Sequence, residues 1–151
     1  MTAACIFCRI ARDEARAYKV GQNAQAVAFF DAYPLAGGHT LVVPKRHVER
    51  LADLTEEEVG AVFGLMHAIV RGVGRALHAP ATTVGVNDGA ASGQTMSHVH
   101  VHVLPRFAGD GVGSIHSLAW PRPRPSSGEL EELARRIAEA SQTEDGTVGR
   151  R

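Results

Sequence analysis

The chain has 151 residues, 44% of them hydrophobic, and its 16 basic residues balance its 16 acidic ones. That is enough apolar chain for one cored domain, which excludes wholesale disorder. Zero formal charge gives no support for a nucleic-acid partner, and no apolar run is long enough to suggest a membrane span, whereas a small nucleotide needs only a few local donors.

The first residues, MTAACIFCRIARDEAR, lack a basic start followed by a long apolar stretch, so no signal peptide and a cytoplasmic location are expected. Thiols stay reduced there, and Cys5 and Cys8 read as metal ligands or plain thiols rather than as a disulfide. Residues 5–16 read as a turn into a short helix. Residues 18–21 and 25–31 read as a hairpin around Gln22-Asn23. DAYPLAGGH is loop chemistry, and HTLVVP is a β-branched strand ended by Pro44. Lys45 and Arg46 read as surface charges at its end.

The clearest helix follows. Thr55-Glu56-Glu57-Glu58 has capping-box form, and Val59, Val62, Phe63, Met66, Ile69, Val70, Val73 and Leu77 recur at helical spacing up to the bound set by Pro80. Gly60, Gly64, Gly72 and Gly74 each cost about 1 kcal/mol there relative to alanine, which burial of the apolar stripe must outweigh. His67 and His78 read as helix-surface residues rather than ligands. Residues 82–87 read as a strand, 88–97 as a Gly/Ser-rich loop, and 98–104 as a strand closed by Pro105. Residues 106–125, with His116 and Trp120, read as irregular. Ser126 or Ser127 caps a last helix carrying Leu130, Leu133, Ala134 and Ile137. The order implies an α+β fold: a mainly antiparallel five-stranded sheet, one long helix, a short N-terminal helix and a C-terminal helix. Residues 1–141 are expected to be a single domain and 142–151 a disordered tail.

His98-Val99-His100-Val101-His102-Val103 alternates strictly, which on a strand puts three imidazoles on one face and three valines on the other. The valines are core. A solvated face explains the histidines poorly, because the whole chain holds only eight. A single metal held by all three is disfavoured. Same-face neighbours lie about 6.5–7 Å apart on a strand, against Zn–N bonds of about 2.0–2.1 Å. The third reading is phosphate chemistry with the middle ring as nucleophile, since a neutral imidazole has a reference pKa of about 6.5. The preceding loop favours it. Gly89, Gly93, Ala90, Ala91 and Ser92 let backbone amides approach an anion, and Gln94, Thr95 and Ser97 add donors.

The segment GQTMSHVHVHVLPR resembles the signature of the histidine-triad family. CIFCRI at 5–10, AFFDAYPLAGGHTLVVPKRH at 28–47 and VNDGAASGQ at 86–94 resemble family blocks in family order. LPRFAGDGVG at 104–113 is similar to the branch that hydrolyses dinucleoside polyphosphates. The resemblance implies His100 as nucleophile, its second ring nitrogen held by a backbone carbonyl of the same strand, with His102 and His39 in the same pocket. It implies nucleotide contacts from Asp31 (ribose), Asn87 (phosphate or leaving group), and Gly93, Gln94 and Thr95 (phosphate loop). A purine nucleotide is the expected substrate and a homodimer the expected assembly, with Trp120 either covering a neighbour's site or anchoring a packed tail.

Cys5 and Cys8 stand at zinc spacing, and zinc in a structural site takes four ligands. No second Cys-x-x-Cys exists, so the other ligands must be distant; His47 and His98 are the candidates. The alternative is a reduced pair without metal; a redox motif fits less well without a preceding strand. The resemblance implies the set Cys5, Cys8, His47 and His98 around a structural zinc, and no catalytic metal is required. Three functions compete. These are a nucleotide hydrolase acting at the α-phosphate of phosphoramidates, adenylylated amines or dinucleoside polyphosphates, a nucleotidyl transferase or phosphorylase on the same site, and a nucleotide-binding interaction module whose catalysis is incidental.

Overall fold

In the computed structural model, residues 5–114 and 124–141 are described. The expectations for His116, Trp120 and residues 142–151 lie outside them. The chain up to Val112 forms one compact unit and the chain from Gly113 another.

The first unit contains α1 (Ile6–Ala11), β1 (Lys19–Gln22), β2 (Ala26–Phe30), β3 (Thr40–Pro44), α2 (Glu56–Leu77), β4 (Ala81–Gly85) and β5 (Val101–Arg106). The strands form one antiparallel sheet in the order β1-β2-β3-β5-β4. The fold is α+β, as expected. Asn23 makes the hairpin: its Oδ1 accepts from the amides of Gln25 and Ala26, and its Nδ2 donates to the Ala61 carbonyl of α2.

The two-residue period of the strands divides the core. Ala26, Ala28, Val42, Val101 and Val103 pack under Val62, Leu65, Ile69 and Val73 of α2. On the other face Val27, Phe29, Leu41 and Val43 meet Phe7 and Ile10 of α1. Each such aliphatic or aromatic side chain contributes about 1.5–3 kcal/mol when fully buried, which outweighs the four glycines of α2. Because Val101 and Val103 face α2, His100 and His102 face the α1 side. No helix among the described residues is long and apolar enough to cross a membrane.

The capping box at Thr55 forms, and its Glu58 has a second role. Arg46 donates to both Glu58 oxygens, Nε to Oε1 and Nη2 to Oε2, each at 2.6 Å. Arg46 is exposed, as its sequence position suggests, and is also the partner of a buried carboxylate. That ion pair, foremost, holds Glu58 down at a pKa of about 2. His67 and His78 are exposed, and His78 ends α2 in the left-handed conformation (φ 52°).

The last strand differs from expectation. It begins at Val101, not His98, and it runs through Pro105. Residues 98–100 are drawn off to the segment after β3: Val99 N donates to Val48 O, and His98 Nε2 donates to Pro44 O. Pro105 is tolerated because the ladder to β3 has already ended at the pair Thr40–Val103. Pro44 likewise lies past the last pair with β5, Val42–Val101, so each proline sits where one side of its strand is an edge.

In the second unit, α3 (Ser127–Ala140) starts at a capping box between Ser126 and Glu129. Arg135 pairs with Glu132 and Glu139, and Leu130, Leu133 and Ile137 are exposed.

Candidate active site and metal cluster

The loop between β2 and β3 delivers Asp31 and His39. Asp31 N donates to His39 O, Tyr33 N donates to Asp31 Oδ1, and Leu35 N donates to His39 Nδ1 at 3.1 Å. Gly38 makes the last turn at φ +89°, and a Cβ there would stand 2.5 Å from Leu77 Cδ1, so only glycine lets the loop close onto the end of α2. His39 is thereby buried beside His102.

Hydrogen-bond partners define the tautomers of the neutral rings. The Leu35 amide can only donate, so His39 Nδ1 accepts and His39 Nε2 carries the proton. That proton goes to His102 Nδ1 at 2.9 Å, which leaves the His102 proton on Nε2. The His98 carbonyl can only accept, so His100 Nδ1 donates to it at 2.7 Å and His100 Nε2 keeps its lone pair. Burial, foremost, lowers the pKa of His39, against the opposing pull of Asp31, whose Oδ2 is 3.6 Å from Nδ1. Burial, with His100 and His39 nearby, lowers His102 to about 4. Both rings are therefore neutral at pH 7.

These rings form one end of a cavity of about 1130 Å³. Its apolar wall is Ile6, Phe7, Ile10, Phe29 and Leu41; Asp31, His39, Thr95, His100 and His102 supply the polar end. Phe7 packs edge-on against both His98 and His100, with ring centroids 5.7 and 5.5 Å away. This apolar wall was not assigned in the sequence. The available signal was Phe7 and Ile10 at helical spacing facing Phe29 and Asp31 near one strand end.

Of the expected nucleotide contacts, Asp31 and Thr95 line the cavity, whereas Asn87, Gly93 and Gln94 lie outside its lining. Asn87 is exposed, its Nδ2 3.8 Å from where a Cβ on Gly93 would stand. The amides of Ser92, Gly93 and Gln94, expected to face an anion, donate instead to Gly89 O or Ala90 O within the loop. The Gln94 side chain is also engaged internally, with Gly89 N, Glu49 O and Met96 O.

On the other side of Phe7 the four expected metal ligands converge. One ligand atom from each of Cys5, Cys8, His47 and His98 lies within 4.8 Å of every other. Cys5 Sγ is 3.3 Å from His98 Nδ1, and Cys8 Sγ is 3.4 Å from His47 Nδ1 and 3.6 Å from His98 Nδ1. Tetrahedral zinc requires a sulfur–nitrogen separation of about 3.6 Å, given its usual bond lengths. The donation of His98 Nε2 to Pro44 O (2.9 Å) turns the Nδ1 lone pair toward the sulfurs, the outer-shell arrangement typical of metal-ligating histidine. Burial first, and then Cys5, pushes the Cys8 thiol up to about 11, so only a cation would favour its thiolate at neutral pH. The site thus fits a four-coordinate, thiolate-binding metal ion. A second group, Asp31, His39 and His102, also has its ligand atoms within 4.8 Å, inside the cavity.

The chain is similar to known proteins in sequence and in fold. The chain is 38% identical over 113 residues to an uncharacterised HIT-like protein of Mycoplasma genitalium, covering 74% of this chain and 80% of that one. It is 34% identical over 116 residues to protein hit of Bacillus subtilis, covering 74% and 77%. Among solved structures, a HIT family protein from Bacillus anthracis superposes with a TM-score of 0.82 at 28% identity, covering 91% of this chain and 96% of that one. A zinc-bound histidine triad family protein from Mycobacterium smegmatis superposes at 0.70 with 30% identity, covering 93% and 100%. The HIT domain profile matches residues 12–109, and the chain belongs to the HIT domain family.

Proposed function

We propose that the chain is a nucleotide hydrolase that cleaves at the α-phosphate through a nucleotidyl-His100 intermediate. The observation that carries this reading is the bond from His100 Nδ1 to His98 O, which places the proton on Nδ1 and aims Nε2 as the nucleophile in the cavity wall. Nε2 attacks the α-phosphorus, and the bond to the leaving nitrogen or oxygen breaks with its electron pair. His102 Nε2–H donates to the phosphoryl oxygen that gains charge, His39 Nε2–H holds His102 Nδ1 in that orientation, and the leaving group takes its proton from water. Water then attacks the nucleotidyl-histidine, releasing the nucleoside monophosphate and restoring the ring. The base of a purine nucleotide lies in the slot of Ile6, Phe7, Ile10 and Phe29. Asp31 accepts from the ribose hydroxyls, and the Thr95 hydroxyl donates to phosphate. Asn87 meets the leaving group, and Gly93 and Gln94 act through the shape of the loop. A structural zinc on Cys5, Cys8, His47 and His98 supplies cross-linking and no chemistry, and a cytoplasmic setting keeps its thiols reduced.

The test is incubation with adenine and guanine phosphoramidates, adenylylated amines and dinucleoside polyphosphates, with and without inorganic phosphate. The expected result is nucleoside monophosphate with or without phosphate, and a nucleotidyl adduct mapped by mass spectrometry to His100. Nucleoside diphosphate formed only with phosphate identifies a phosphorylase. Binding without turnover identifies an interaction module.

We further propose a homodimer joined along β4 and α2. Among the described residues β4 pairs on one side only, and its Val84 is exposed. α2 carries a second apolar stripe, Val59, Phe63, Met66 and Val70, beside the one that meets the sheet. Sedimentation at twice the chain mass is expected; a species of one chain mass at micromolar concentration removes the proposal.

A further inference from the structure

We propose that Asp88 is a positioning residue: with Arg50 it fastens the loop at residues 87–96 to the turn at residues 49–51, and so holds Thr95 and Met96 in the cavity wall that His100 shares. Its kinetic consequence rests on the hydrolase reading; the fastening itself does not.

Asp88 lies next to Asn87 and touches residues nearly forty positions earlier. Its Oδ1 accepts from the Leu51 amide at 2.9 Å and from Arg50 Nε at 3.2 Å. An exposed ion pair alone contributes little, but here the acceptor also binds a backbone amide, which a salt bridge on long side chains does not require. The Leu51 amide, and then Arg50, keep the Asp88 carboxyl below its usual range, so the carboxylate is present throughout the neutral range. The guanidinium also presses on the next residue. A Cβ on Gly89 would stand 3.0–3.1 Å from Arg50 Cζ, Nη1 and Nη2, and the backbone there has φ +99°. Gly89 thus permits the contact that Asp88 anchors.

The far end of the loop is tied to the same turn. Gln94 Oε1 accepts from Gly89 N at 2.6 Å, and its Nε2 donates to Glu49 O and Met96 O, each at 2.9 Å. Between the ties, Gly89 O accepts from the amides of Ser92 and Gln94. One residue earlier, Val48 O accepts from Val99 N at 2.7 Å. The turn at 48–51 therefore references both the loop and the residue before His100. A phosphorus held between Thr95 and His100 depends on the two sides keeping their separation, and a displacement of about 1 Å can cost about 10²-fold in rate.

The test uses the full chain with its metal, and the variants Asp88→Ala, Asp88→Asn, Arg50→Ala and the Asp88→Ala/Arg50→Ala pair. Asp88→Ala is expected to lower kcat about 10–100-fold with KM changed less than about threefold, because the base slot of Ile6, Phe7, Ile10 and Phe29 is untouched. Asp88→Asn, which keeps an acceptor for the Leu51 amide, is expected to recover most of kcat. The double variant is expected to be no worse than Asp88→Ala, since both substitutions break one tie. Hydrogen exchange at residues 89–96 is expected to quicken in Asp88→Ala, with the sheet unchanged. Unchanged kcat, no rescue by asparagine, or exchange that quickens throughout the unit would overturn the proposal. If the parent turns over no nucleotide, the hydrolase reading fails by itself, and exchange at 89–96 alone decides the fastening: local quickening supports it, unchanged exchange overturns it.

Discussion

His100→Ala is expected to abolish turnover, by a factor on the order of 10³–10⁶, while nucleotide affinity stays within a few-fold of the parent. Loss of a nucleophile removes the covalent route entirely, and what survives is whatever the remaining site does for direct attack by water. Affinity is spared because the base slot of Ile6, Phe7, Ile10 and Phe29, together with Asp31 and Thr95, is untouched by the substitution. His100 is buried and packs against Phe7 and His102, so the variant also loses ring contacts. Its thermal midpoint must therefore be measured beside its rate and its affinity. A folded variant that binds nucleotide and turns over at more than a few per cent of the parent rate contradicts the nucleophile assignment. If turnover and affinity vanish together in a folded variant, His100 contributes to binding rather than to the chemical step.

The parts of this molecule that were legible beforehand are those encoded by short-range pattern. Thr55 and Glu58 are three residues apart and form their cap as expected; His100 and His102 are two apart and share a face. The four-residue metal cluster was legible differently. The spacing of Cys5 and Cys8 suggested a metal, but the addition of His47 and His98 came from the family resemblance. What stayed hidden depends on partners distant in sequence. His98 and Val99 leave the strand because Pro44 and Val48 offer acceptors more than fifty residues earlier. Gln94 read as a phosphate ligand because a glutamine in a glycine-rich loop offers free donors. In the fold, Glu49 O and Met96 O take them up. The pairings of Arg46 with Glu58 and of Arg50 with Asp88 were not legible because these partners become neighbours only when the turn after β3 folds back. The strand order β1-β2-β3-β5-β4 likewise follows from pairing across α2, which no local window contains.

Cys8→Ser is expected to remove the metal and to lower the thermal midpoint by about 10 °C or more. A structural zinc contributes on the order of 10 kcal/mol in peptides that have no other core. Here the sheet keeps a core of its own, so only part of that is at stake, and each kcal/mol moves the midpoint of a domain this size by about 2–4 °C. Cys8 is the ligand whose loss matters most, because it is buried and its Sγ faces both His47 Nδ1 and His98 Nδ1. The loss propagates through Phe7, which stands between the two cysteines in the chain and against His98 and His100 in space. The sign of the pH effect follows from the thiol. With its pKa raised to about 11 without a cation, metal binding must expel protons, so metal affinity falls as pH falls. Elemental analysis of protein purified without chelator is expected to find about one zinc per chain in the parent, and far less in Cys8→Ser. The competing reading, a reduced pair without metal, makes a different forecast. It expects well under one zinc per chain in both proteins and midpoints that nearly coincide, because a buried thiol replaced by a hydroxyl leaves the packing almost unchanged.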